Sequence, residues 1–316
     1  MPASTPVPQR SGTLSRRSFL GLTALAAGGI ATAAYAPAAS AAPGKLGQVL
    51  DYAAGVPSGA AVRAAGYLGA VRYVSQRRPG TESWMVGKPV TRRETEDFAA
   101  HGLATASVYQ FGRAETADWK QGAAGAALHV PQAIALHRAA GGPTGKPIYM
   151  AIDDNPTRHL YDAQIRPYLA ACGAALRAGG YSLGIYGNYN VIEWAIADGL
   201  GSYFWQHDWG SGGRLHPRAQ LHQNSALKTT INGVQCDVND VYSHDWGQWT
   251  AGSAAAPQPP HPAPAPAVPQ FPGLPSVPDL AAGSSAAGSS QITPQQANQA
   301  LQAVQHLAQL AGKLPR

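Results

Sequence analysis

The chain has 316 residues and a formal charge of +6, from 23 Lys+Arg against 17 Asp+Glu. That length allows one large domain or two small ones, and so mild a basic excess argues against nucleic acid as the partner, which calls for a dense basic stripe. Cys172 and Cys236 are the only cysteines, at a spacing that fits no metal site or disulfide framework. Two buried thiols are expected, with a disulfide in an exported protein as the alternative.

At the N-terminus, in SRRSFLGLTALAAGGIATAAYAPAASAAP, Arg16 and Arg17 precede a weakly apolar, Ala- and Gly-rich stretch from Phe19 to Ala36. This reads as a twin-arginine export signal over residues 1–41, cleaved near Ala41 after the small residues Ala39-Ser40. A retained membrane anchor is the alternative, disfavoured by the glycines and by the lack of a long Leu/Ile/Val run. Cleavage removes Arg10, Arg16 and Arg17 and no acid, which leaves a charge of +3. The mature chain then lies outside the cytoplasm without stable membrane insertion, and its charge suits an anionic cell wall. No dinucleotide loop, phosphate loop or CxxC pair occurs, so no cofactor is expected.

Residues 44–249 have ordinary globular composition. Short apolar or β-branched runs predict strands at GQVLDY (47–52), AVRYVS (70–75), LATASVYQ (103–110), KPIYMAID (146–153), YSLGIYG (181–187), SYFWQHD (202–208), AQLHQNS (219–225) and VQCDVNDVY (234–242). Helices are predicted after the third, fourth and fifth strands, at Ala114 to Ala140, Arg158 to Gly179 and Tyr189 to Asp198. The expected fold is α/β, a single (β/α)8 TIM-like barrel. The links between the last three strands look too short for full helices, so an open doubly wound sheet is the alternative.

From residue 250 to about 290 the sequence becomes Pro-, Ala- and Ser-rich, as in SAAAPQPPHPAPAPAVPQFPGLPSVPDL, and reads as an extended linker. Over residues 291–314, Thr293 is a plausible N-cap before Pro294, and Ala297, Leu301, Val304 and Leu307 recur at helical spacing. This short amphipathic helix is expected to dock onto the barrel, a protein partner or a second copy, with a partly disordered tail as the alternative.

In a barrel of this kind, chemistry sits where the strands end, and Asp51, the Asp153-Asp154 pair and Asp237 fall at such positions. Strand alternation places Asp153 inward with Tyr149 and Ala151, and turns Ile148, Met150 and Ile152 toward the helices. The same parity puts Val49 inward with Asp51, and Gln235 and Asn239 inward with Asp237, while Leu50, Cys236 and Val238 face out. Clustered carboxylates suit acid/base catalysis, because burial and mutual repulsion separate their pKa values. For each acid a helix cap or turn is the alternative, most of all for Asp154, which opens the turn Asp154-Asn155-Pro156. Tyr52, Tyr73, Tyr109, Tyr186, Tyr189, Phe204, Trp205 and Trp209 crowd the same strand ends, and flat apolar faces beside polar groups suit sugar rings. HDWG occurs twice, at His207 and His244, with His222 nearby. The spacing matches no tight ligand motif, so no metal is expected.

VLDY on the first strand, IYMAIDDNP on the fourth, YGNYNVIEWA after the fifth, YFWQHDWG on the sixth and LHQNS…GVQCDVNDVY at the end resemble a family of twin-arginine-exported, glycoside-hydrolase-like barrels. That family is similar to the family 25 lysozymes, which cleave the glycan strands of peptidoglycan. The resemblance spans about Leu46 to Tyr242. It implies that Asp51, Asp153 and Asp237 match the aspartates of the lysozyme-like pattern, in which an Asp-x-Glu pair on the fourth strand provides the proton donor. Here that pair reads Asp153-Asp154-Asn155, and an amide does not donate a proton as a carboxylic acid does.

The expected catalytic set is therefore Asp51, Asp153, Asp154 and Asp237, with Glu193 as a second-choice acid. The expected substrate-binding set is Asn155, Tyr186, Asn188, Trp205, His207, Trp209, Gln223 and Asn239. The expected function is carboxylate-driven hydrolysis of cell-wall glycan, peptidoglycan or a related polysaccharide, by a secreted protein. The alternative is a weakly active or inactive glycan-binding barrel.

Overall fold

The structure is a computed structural model that describes residues 44–252. The expected export signal and the C-terminal helix lie outside the described residues, as does nearly all of the Pro-rich segment.

Eight strands close into a barrel in sequence order: β1 (Gly47–Asp51), β2 (Gly69–Tyr73), β3 (Ala104–Tyr109), β4 (Pro147–Ala151), β5 (Ser182–Gly187), β6 (Tyr203–His207), β7 (Leu221–Ile231) and β8 (Val234–Val241). The open-sheet alternative is thereby excluded. Neighbours from β1 to β7 pair in parallel, but β8 runs antiparallel to both β7 and β1. The fold is thus mixed α/β around a closed barrel, and among the described residues helices follow only the first five strands. Between β7 and β8 the chain turns at Asn232-Gly233, both with positive φ, the backbone that a tight hairpin demands and that Asn-Gly tolerates. This hairpin carries β7 to Ile231, well beyond the expected end at residue 225.

Alternation sorts the strand residues as their parity dictates. Val49, Val71, Val108, Tyr149, Ala151, Trp205, Leu221 and Val241 pack together inside the barrel. Ile148, Met150, Ile152, Ile185 and Phe204 form part of the layer under the helices, and Leu50, Cys236 and Val238 form a second outer cluster. Trp246 joins the interior cluster, and its carbonyl accepts from the Tyr149 hydroxyl at 2.9 Å. Cys172 and Cys236 are free thiols in different outer clusters.

The helices are α1 (Gly59–Ala64), α2 (Arg92–Ala100), α3 (Ala123–Ala139), α4 (Arg158–Leu160), α5 (Arg166–Ala178) and α6 (Tyr189–Ala197), with a π-helical turn at Tyr161–Ile165 joining α4 to α5. The predicted helix from Ala114 begins instead as two short 3-10 turns, Ala114–Thr116 and Asp118–Gln121. Helices α1 and α2 were not expected. Side-chain oxygens of Ser58 and Thr91 cap them, accepting from Ala61 and Glu94 N–H groups. Behind the barrel wall, the buried Arg72 guanidinium meets Glu94 at 2.5 Å and donates to the carbonyls of Tyr52 and Gly87. Tyr52 also donates to Glu94 at 2.8 Å. This fully paired charge pins the end of β1 to the loop that follows β2.

Candidate active site

Asp51 ends β1 and is 2% exposed. Two amides reach it from neighbouring strands: Gln223 Nε2 donates to Oδ2 at 2.9 Å and Asn239 Nδ2 to the same oxygen at 2.8 Å. Each amide is itself held, Gln223 Oε1 by the Tyr186 hydroxyl at 2.6 Å and Asn239 Oδ1 by Trp205 Nε1 at 2.8 Å. Both donors converge on Oδ2, so a proton on Asp51 belongs on Oδ1. Burial pushes the Asp51 carboxyl up to about 6, and the nearby charge of Asp237 adds to this. The two amides and the more distant Arg72 oppose the rise without cancelling it.

Asp237 pairs with Asp51 in the β1–β8 register. It is not the end residue of a parallel strand, as expected; the antiparallel course of β8 delivers it to the mouth from the opposite direction. Lys228, opposite it on β7, approaches at 3.4 Å from the solvent side. Gln235, on the parity of Asp237, lies further along the hairpin and is exposed.

Asp153 follows the end of β4, and its Oδ2 accepts from Gln110 Nε2 at 3.0 Å. Tyr73, the last residue of β2, faces the three carboxylates: burial, then Asp51, Asp153 and Asp237, raise its phenol well above the ordinary value. Its hydroxyl has no hydrogen-bond partner among the described residues, so it is a free donor at the mouth. Tyr186 feels the same acids, and its ring lies 4.3 Å from that of Trp205 and 5.0 Å from that of His207.

His207 ends β6, buried, with Nε2 3.3 Å from the carbonyl oxygen of Ile152. Burial lowers its pKa against the opposing pull of Asp153. A neutral ring that donates from Nε2 carries its lone pair on Nδ1, which has no partner among the described residues. Beyond it, Trp209 is 57% exposed, with its ring 6.4 Å from His207. His222 pairs with Asp208 at 2.5 Å; among the described residues no cluster of potential ligands forms a metal site.

Other expected residues are placed differently. Asp154 accepts the Asn155 N–H at 2.8 Å, the turn arrangement anticipated as its alternative. Asn188 caps α6 through Val191 N–H and donates to Asn155 Oδ1 at 2.9 Å. Gly210, at φ +75°, closes over that contact: a Cβ there would come within 2.1 Å of Asn155 Oδ1. The Asn188–Asn155 bond thus ties the start of α6 to the loop after β4, with Gly210 of the loop after β6 packed against it, while the exposed Asn155 side-chain nitrogen has no partner among the described residues. Glu193 meets His216 at 3.0 Å, whose own N–H donates to Gln206 on the outward side of β6, away from Asp51. Tyr52, Tyr109 and Phe204 also turn outward. Tyr73, named among the aromatics at the strand ends but not in the expected substrate-binding set, enters by the inward parity of Val71 on β2; Gln110, which was not expected at all, was within reach of the strand end where it lies.

A closed barrel that gathers Asp51, Asp153 and Asp237 with amides and aromatic rings at one end has the make-up of a glycoside-hydrolase-like protein. The chain belongs to the Rv2525c-like, glycoside hydrolase-like domain family, whose pattern matches residues 60–241. It is 46% identical over 241 residues to Rv2525c of Mycobacterium tuberculosis (strain ATCC 25618 / H37Rv), which is provisionally named a peptidoglycan hydrolase. That match covers 75% of this chain and 99% of the relative. The crystal structure of the Mycobacterium tuberculosis Tat-secreted protein Rv2525c in complex with L-tartrate matches with a TM-score of 0.62 and 49% sequence identity, over 65% of this chain and 100% of that one. A monoclinic form in complex with HEPES gives 0.61 and 49%, over 65% and 99%.

Proposed function

We propose that this protein hydrolyses cell-wall glycan, peptidoglycan or a related polysaccharide, with Asp51 as the proton donor. The observation that carries this reading is the Asp51 carboxyl itself: pushed up to about 6, held on Oδ2 by two amides, and left free on Oδ1 beside Asp237 and Tyr73. Asn155 is unfit for the acid role, and Asp51 supplies what it lacks. As the glycosidic C–O bond breaks, its electron pair stays on the leaving oxygen, which takes the Oδ1 proton. Asp153 and Asp237 stabilise the positive charge that develops on the sugar ring. Water then adds to the anomeric carbon and loses its proton to Asp153. Tyr73, Tyr186, Trp205, His207 and Trp209 bind sugar, and Gln223 and Asn239 act through Asp51.

The barrel is read as a (β/α)8 barrel whose last helices have given way to the β7–β8 hairpin. Residues 1–41 are read as a Tat signal, in keeping with the Tat-secreted relative, residues 250–290 as a linker and residues 291–314 as a docking helix. The locked Asn155–Asn188 pair favours a second reading, a barrel that binds wall glycan with little or no cleavage. Reducing-end release from peptidoglycan, with sedimentation on insoluble wall as the parallel measurement, separates the two. Release that is lost in Asp51→Asn supports hydrolysis; binding by wild type and Asp51→Asn alike, without release from either, supports the second reading.

A further inference from the structure

Lys88 lies in the loop between β2 and α2 and is 2% exposed. Among the described residues no carboxylate comes within ion-pair distance of it. Its ammonium donates to the Gln110 carbonyl oxygen at 2.8 Å, an oxygen that also accepts from Ser75 Oγ at 2.7 Å, and stands 4.1 Å from the centre of the Tyr73 ring. A buried cation without a carboxylate is costly and marks a site where its chemistry is used. Both groups that Lys88 touches go on to face the mouth: the Gln110 amide holds Asp153, and the Tyr73 phenol senses Asp51, Asp153 and Asp237.

We propose that Lys88 is a positioning residue, whose single ammonium clamps the Tyr73 ring against the Gln110 backbone and so aims the Tyr73 hydroxyl and the Gln110 amide at the mouth carboxylates. This rests on the reading of that mouth as the reacting site. The cation–π contact draws on the charge of Lys88, whereas the bond to the Gln110 oxygen survives in the neutral amine. The groups that face Lys88 are Tyr73 and Arg72 on β2, Arg78 in its own loop, and Asp118 after β3. Burial, then Arg78, with Arg72 last, work against its charge, and Asp118 favours it, so the amine is lowered to about 7. The charged clamp is therefore complete below that pH and weakens as pH rises through it.

The test is NMR of the full chain between pH 5 and 9, following the Tyr73 ring and the side-chain amides of Gln110, Gln223 and Asn239. In the wild type the Tyr73 signals show a step near pH 7 beside the step near 6 from Asp51. In Lys88→Met the step near 7 disappears and the one near 6 remains. The Gln110 amide moves toward solvated values while Gln223 and Asn239 stay in place. Lys88→Arg keeps Gln110 held without the step near 7. On glycan, Lys88→Met lowers kcat about 10-fold, with a smaller rise in KM from the displaced Tyr73, since misaimed groups cost rate more than binding, and Lys88→Arg restores most of the loss. Unmoved Tyr73 and Gln110 signals in a folded Lys88→Met overturn the proposal, as does a displacement of all three amides together, which would make Lys88 a general support of the fold. If the wild type cleaves no glycan, the hydrolase reading fails, and the NMR signals still decide the role of Lys88.

Discussion

Gln223 donates to Oδ2 of Asp51 across 2.9 Å, from the seventh strand to the first. The bond stabilises the charged carboxylate, so it is one of the contacts that keep Asp51 from rising further than about 6. Replacing Gln223 with Leu removes that donor and leaves the Tyr186 hydroxyl without its acceptor. A hydrogen bond to a charged group contributes about 1.5–3 kcal/mol, so Asp51 should rise by about one to two pH units. A carboxyl-carbon NMR titration reads this directly; an unmoved midpoint would show that the amide does not govern Asp51.

Stability should respond to the same carboxyl. Unfolding returns Asp51 to about 3.8, below its folded value of about 6, so the folded state holds the extra proton in between. Stability therefore falls as pH rises from about 4 to 6, and the cost of the buried charge stays in force above that window. Asp51→Asn removes the charge but keeps an acceptor for Gln223 and Asn239. The variant should be more stable than wild type at pH 8 by on the order of 1–3 kcal/mol, with the difference fading toward pH 4. Denaturant titrations at the two pH values measure it, and a variant equally destabilised at both would contradict the account.

The Arg72–Glu94 pair behaves oppositely. Both side chains are buried, and Arg72 also holds the carbonyls of Tyr52 and Gly87. Glu94→Leu leaves a guanidinium buried without its partner, at a cost of about 3–5 kcal/mol. Urea unfolding should show that loss, and a change below about 1 kcal/mol would mean that water reaches Arg72.

Trp209 is exposed at the mouth, so Trp209→Ala should leave the fold unchanged. Loss of an aromatic face of about 0.5–1.5 kcal/mol predicts glycan affinity weakened about 3- to 10-fold. Sedimentation with insoluble wall measures this, and undiminished binding would place the glycan elsewhere.

Much of this site was legible from strand parity. Asp51, Asn239 and Trp205 meet because period-two alternation fixes which side chains enter a closed barrel. Parity says nothing of strand direction, so the delivery of Asp237 by an antiparallel β8 stayed hidden, although Asn232-Gly233 between alternating runs carried the hairpin signal. Helices α1 and α2 escaped notice because they are short and follow long loops, with Ser58 and Thr91 as their main local marks. Asn155 and Asn188 look like free polar groups in sequence; only their approach beneath Gly210 reveals a lock. Lys88 carries no pattern at all, since it lies in a loop and its partners Tyr73 and Gln110 come from the ends of two separate strands.

The most direct test of the central claim is the pH dependence of reducing-end release from peptidoglycan by this protein, wild type beside Asp51→Asn. Asp51 must be protonated to donate, so release should fall as pH rises through about 6, and the variant should lose about 100-fold or more. No release from several wall preparations, or a variant that keeps wild-type rates on the same profile, would contradict it.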